Sequence, residues 1–212
     1  MLGIHDLWLF VASGLLLNLT PGADTLFIAT RSAALGWRFG VAAALGICTG
    51  CLVHVLAAAL GLSAILATSP LAFTVVKWVG AAYLVYMGLN LLLQRQQAGQ
   101  APRALAPAAW SSVFVQGFLT NVLNPKVALF FLAFVPQFIP AQAPDPAWSF
   151  VLLGCLFNVN SLLVCMGWAL AASWLARQAQ WMQRGMRHLD RLAGLLFVGF
   201  GLKLALADAP SH

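Results

Sequence analysis

Asp24 is the one acidic residue set well inside a long apolar stretch, whereas Asp6, Asp145, Asp190 and Asp208 fall at the ends of such stretches or between them. A charged carboxylate in hydrocarbon costs on the order of 2.5–3.5 kcal/mol even on lenient insertion scales, so such a group is a functional candidate by default. It closes a polar interruption, Asn18-Leu19-Thr20-Pro21-Gly22-Ala23-Asp24. Two roles suit it there. One is a first-turn acid, stabilised by the dipole of the helix that restarts after Pro21-Gly22. The other is a carboxylate that binds a substrate ammonium, or the proton or sodium ion that drives transport.

A second interruption, Asn121-Val122-Leu123-Asn124-Pro125-Lys126, repeats the pattern with the opposite charge. Lysine at a helix N-terminus has the wrong sign for the dipole. Lys126 is therefore expected to offset Asp24, to hold a substrate carboxylate, or to snorkel to an interface. Opposite charges at equivalent places in two halves of a chain suit a zwitterion. Asn18, Thr20, Asn121 and Asn124 add amides and a hydroxyl just before the prolines, and each proline frees a carbonyl one turn earlier. These side chains cap the half-helix ends, touch a solute, or do both. His54 follows Gly46 and Gly50 at four-residue spacing. The glycines let a neighbouring backbone approach, and the imidazole is either a hydrogen-bonded structural group or a proton relay. The expected substrate- or ion-binding set is thus Asp24, Asn18, Thr20, Asn121, Asn124, Lys126 and His54, with Pro21, Gly22 and Pro125 as helix breaks.

Other chemistries find little support. Cys48-Thr49-Gly50-Cys51 matches C-x-x-C, a thiol or soft-metal pattern. With Cys155 and Cys165 it lies inside apolar runs, where cysteine acts as a small apolar residue. No serine–histidine–acid set, phosphate-cradling glycine loop or carboxylate pair stands out. The expectation is a non-enzyme without catalytic residues, cofactor or resident metal. A membrane thiol or electron carrier using Cys48 and Cys51, and efflux of a metal cation, are the alternatives.

The elements that must position these residues are membrane helices. Hydrophobic residues make up 62% of the 212 and charged residues 8%, against about 25% charged in a soluble domain. That leaves too little polar surface to cover a water-soluble globule. The length admits about six spans of roughly 20 residues, and the chain reads as one integral membrane domain over 1–212. Apolar runs place the spans near 6–32 (broken at Pro21), 38–62, 70–93, 111–138 (broken at Pro125), 147–176 and 189–207. The first run lacks a basic flank and a cleavage site, so it reads as a span and not as a signal peptide.

Basic residues alternate between the connections. Arg31 and Arg38 flank the first, Arg95 and Arg103 lie in the third, and Arg177, Arg184, Arg187 and Arg191 lie in the fifth; 63–69 and 139–146 have none. Arginine-rich loops stay cytoplasmic, so both termini are expected outside. The formal charge of +6 reflects this orientation and not nucleic-acid binding. The stretch 94–110 reads as a cytoplasmic linker between halves of about 1–93 and 111–207. Three helices per half makes the halves inverted. Lys77-Trp78-Val79-Gly80-Ala81-Ala82-Tyr83 parallels Arg191-Leu192-Ala193-Gly194-Leu195-Leu196-Phe197, as a duplication would leave. The fold class is then all-α: six transmembrane helices in two inverted three-helix repeats, with helices 1 and 4 broken at proline. Paired breaks of this kind point to a transporter's binding site.

Asn18-Leu19-Thr20-Pro21-Gly22-Ala23-Asp24 resembles the N-terminal signature of the lysine/homoserine–threonine exporter family (LysE/RhtB), usually close to T-P-G-P-D. The resemblance runs on through Gly36, Gly46–Gly50–His54, Leu60-Gly61-Leu62-Ser63 and Lys77 to Leu84 with Gly88. It then takes in Gly117 to Lys126, Phe130-Phe131 and Pro136-Gln137-Phe138, and so covers nearly the whole chain. It implies a six-helix bacterial inner-membrane exporter of amino acids or related metabolites, driven by the proton gradient. Asp24 and the two proline breaks correspond to the family's shared motifs, while Ala23 replaces the second proline of the usual signature and loosens the turn. Which amino acid, which coupling ion and whether the chain forms a homo-oligomer are left open.

Overall fold

Pro21 has no N–H to give to Leu17, and the chain responds by ending one helix and starting another. The computed structural model describes residues 4–64, 108–140, 143–176 and 182–206, with isolated helical positions between 71 and 89. In it α1 spans Leu7–Leu19 and α2 spans Ala23–Leu35, bent by 51°. After α3 (Trp37–Ala57) a π turn covers Ala58–Leu62. Pro125 divides a second run into α4 (Trp110–Val122) and α5 (Pro125–Leu129). α5 continues through a π turn over Phe130–Phe134 and a 3-10 turn over Val135–Phe138, and this broken run is bent by 44°. α6 (Pro146–Leu175) and α7 (Met182–Leu206) follow.

All regular structure among the described residues is helical. α3 with its π turn, α6 and each bent pair are long and apolar enough to cross a bilayer, giving up to four spans among the described residues. Both prolines break their helices where expected. The last helix begins at Met182, ahead of the expected 189. Most of the expected span at 70–93, with Lys77 and Gly80 of its repeat string, lies outside the described residues, as do 94–107 and Arg177.

The two broken runs lie antiparallel. At one end the His5 N–H donates to Phe138 O (3.3 Å) and Phe10 meets the Phe138 ring edge-on at 5.2 Å. At the other, Arg31 Nη2 donates to Gln116 Oε1 (2.7 Å). The breaks therefore meet midway. Beyond them, on the Phe138 side, Phe10, Phe130, Phe134, Phe157 and Phe200 form a buried aromatic seam. On the Arg31 side the packing is small-residue: Ala42, Ala43, Ala44, Ile47, Val113 and Ala169. Trp8, Leu60, Leu123, Leu163 and Trp174 point outward, as lipid contact requires.

Glycine sets the closest helix contact. A Cβ on Gly46 would lie 2.1 Å from Phe114 O, and one on Gly117 would lie 2.6 Å from Ala43 O. α3 and α4 are thus in backbone contact, the small-residue mode of membrane helix packing. Gly36, at φ +93°, makes the one-residue turn from α2 to α3 in a conformation other residues rarely adopt.

Candidate binding site at the two helix breaks

The first break opens two carbonyls. Thr20 is buried, and both its N–H (2.9 Å) and its Oγ1 (2.7 Å) donate to Leu16 O. Leu17 O is the acceptor Pro21 would have served. It accepts instead from Lys126 Nζ at 2.8 Å, and the same ammonium donates to Thr20 O at 3.0 Å. Lys126 therefore does not snorkel. It places its charge at the C-terminal end of α1, where the dipole favours a cation.

The second break closes on itself more fully. Asn124 takes the extended backbone favoured before proline, and its Oδ1 accepts the Lys126 N–H at 3.0 Å, a helix cap from a preferred residue. Pro125 sits at the first helical position, where its missing N–H costs least. Asn121 O, the carbonyl Pro125 leaves without its helical donor, accepts from the Asn124 N–H (2.9 Å) and from His54 Nε2 (3.0 Å). A carbonyl only accepts, so His54 carries its proton on Nε2. The Phe131 ring stacks on it at 6.2 Å.

Asp24 joins the two breaks. It lies in the first turn of α2, where the dipole favours an acid, but it caps nothing there. Asn121 Nδ2 donates to Asp24 Oδ2 at 2.8 Å. Asp24 Oδ1 is buried and has no hydrogen-bond partner among the described residues; the same is true of Asn18 Nδ2 and Asn121 Oδ1. Buried polar groups are almost always paired in proteins, and the exceptions call for a reason. Asn121 Oδ1 faces Gly50, where an added Cβ would come within 3.4 Å of it. Asp24 and Asn18 instead line a cavity of about 30 Å³, together with Leu17, Gly22, Asn124 and Lys126.

Such a volume takes a water or an ammonium-sized group, whereas pockets for drug-sized ligands run to about 300–1,000 Å³. A whole amino acid does not fit the cavity as it stands. The cavity offers one acid, one cation and amide groups against an apolar wall. This suits a small molecule carrying both charges. All seven expected site residues gather at the breaks, in different capacities. Asp24, Asn18, Asn124 and Lys126 line the cavity; Thr20 caps, while Asn121 and His54 stand behind. Sequence reasoning missed the wall that α6 supplies, Phe157, Ser161 and Cys165. Its one trace is the four-residue spacing of Ser161 and Cys165, whose Oγ and Sγ lie 3.8 Å apart. Cys48 and Cys51 are free and buried in α3.

Two antiparallel broken helices with a polar cavity at their breaks define a helical membrane protein of transport type. The model of the family described as LysE type translocator matches residues 15–208, and the chain belongs to that family. It is a multi-pass membrane protein. It is 35% identical over 215 residues to an uncharacterized membrane protein of Pseudomonas aeruginosa, covering 97% of each. It is 27% identical over 203 residues to leucine efflux proteins of Salmonella typhimurium and Salmonella typhi, covering 96% of each. No solved structure matches the chain.

Proposed function

We propose that this protein is a secondary active exporter of amino acids or closely related metabolites across the bacterial inner membrane. The observation that carries the reading is Asp24 Oδ1, a buried acceptor without a partner on the wall of a cavity between two helix breaks. A substrate ammonium completes it. The substrate carboxyl then meets the amide of Asn18 or the Lys126 ammonium, and Leu17, Val127 and Phe157 face an apolar side chain. The relatives named leucine efflux protein favour the same chemistry.

One carboxylate also supplies a coupling rule. A proton and an ammonium cannot occupy Asp24 Oδ1 together, so a proton entering displaces the amino acid and an amino acid displaces the proton. Exchange of the two down the proton gradient gives net export; sodium would obey the same exclusion. The halves of the single domain, about 1–93 and 111–207, act as inverted three-helix repeats that rock about the cavity. Both termini face outward, and the arginine-bearing connections face the cytoplasm.

Dipeptide feeding of cells with and without the protein, followed by measurement of extracellular amino acids, tests the reading. Expression should raise the release of leucine or another apolar amino acid, and Asp24→Asn should abolish the increase at unchanged membrane abundance. An Asp24→Asn variant that exports at the full rate would sink the coupling rule. Unchanged release across the whole panel would sink the substrate class.

A further inference from the structure

We infer that Lys126 and His54 are positioning residues that each donate to a carbonyl whose helical donor proline has removed, and that each serves the break in the other half of the sequence. In an α-helix residue i donates to the carbonyl of residue i−4. Pro21 and Pro125 therefore deprive two particular carbonyls, those of Leu17 and Asn121. Those two carbonyls receive the basic side chains: Leu17 O from Lys126 Nζ at 2.8 Å and Asn121 O from His54 Nε2 at 3.0 Å. Inside a bilayer neither carbonyl can turn to bulk water, so its donor must come from protein or from a water held in a cavity.

The exchange is reciprocal. Lys126 lies in the first turn of α5, beyond the second break, and reaches back to the end of α1. His54 lies on α3, in the first half, and reaches α4. Gly46, Gly50 and Gly117 bring α3 against α4 closely enough for His54 to arrive. Each break is therefore fully hydrogen-bonded only while the halves are docked as here. Any movement that parts them uncovers Leu17 O at the first break and takes from Asn121 O its second donor, leaving it the Asn124 N–H. The breaks are thus linked through their donors as well as through a shared solute, and this linkage holds whichever solute is carried.

Thermal unfolding of the purified full-length protein and its variants in detergent tests the inference apart from any transport assay. Lys126→Met should lower Tm by about 5 °C, the scale of a lost charged hydrogen bond in a chain of this size. In a Pro21→Ala background the new N–H can reach Leu17 O, and the same substitution should cost less than half as much. Equal losses in both backgrounds would overturn the role of Lys126. Should Lys126→Met alone give no folded protein, recovery of folded protein in the double variant supports the inference, and continued failure counts against it.

For His54 the readout is leucine uptake into inverted vesicles over a pH series. His54→Gln keeps a side-chain donor and should retain most of the uptake with an unshifted pH profile. His54→Leu should lose about tenfold. A Gln variant as poor as Leu, or a displaced pH profile, would show that the imidazole acts as an acid or base and would overturn the positioning role.

Discussion

The two breaks share a proline and an adjacent polar set but are repaired differently. At Pro21 the chain leaves two carbonyls, of Leu17 and Thr20, and both are met by one ammonium from α5. At Pro125 the backbone closes its own turn through the Asn124 N–H, Asn124 caps α5, and His54 adds a bond to a carbonyl already served. The first break depends on a distant donor, while the second is largely complete without one. The break that carries Asp24 is thus the one whose geometry depends on the rest of the molecule.

Gly46→Leu should have the largest effect of all. It drives a side chain into Phe114 O and forces α3 from α4, withdrawing His54 from the second break. Overpacking costs about 1–3 kcal/mol and occasionally more, and we expect severe loss of folded protein on a size-exclusion column. Next comes Asn121→Ala, which removes the donor to Asp24 Oδ2. Losing a hydrogen bond to a carboxylate costs about 1.5–3 kcal/mol, read as a lower Tm. Asn124→Ala deletes the cap of α5, worth about 1 kcal/mol; a loss of stability larger than that of Lys126→Met would reverse the ranking of the two breaks. Thr20→Val should be the mildest, at about 0.5 kcal/mol, because Leu16 O keeps the Thr20 N–H. Chemical denaturation of Thr20→Val that matched Asn121→Ala would mean the threonine hydroxyl does more than cap.

Much of this was legible in the residues themselves. Pro21 and Pro125 announce their breaks because no neighbouring context can restore a missing N–H. Asp24 stands out because an acid in hydrocarbon needs a reason. The glycine spacing before His54 correctly signalled a close backbone contact, although the partner, Gly117 on α4, is a matter of tertiary packing. The roles within the site were harder to read. Nothing local tells whether Lys126 reaches a carboxylate, a carbonyl or the membrane surface, since its long side chain can serve all three. Asn121 and Asn124 look alike in sequence, yet one anchors Asp24 and the other caps its own helix. The α6 wall left almost no trace, since Phe157, Ser161 and Cys165 are ordinary membrane-helix residues until a cavity lies against them.

The π turns at Ala58–Leu62 and Phe130–Phe134 pack beside one another. Each holds about one residue more than an α turn would, so the side chains beyond it are rotated by roughly 100° from α-helical phase. In the second case Phe130, Phe134 and Phe138 all lie along Phe10, and Phe130 also stacks on Phe157. The aromatic seam is therefore indexed separately from the polar site below it. A one-residue deletion within Phe130–Phe134 would leave the breaks intact, but it would swing the outer rings out of the seam.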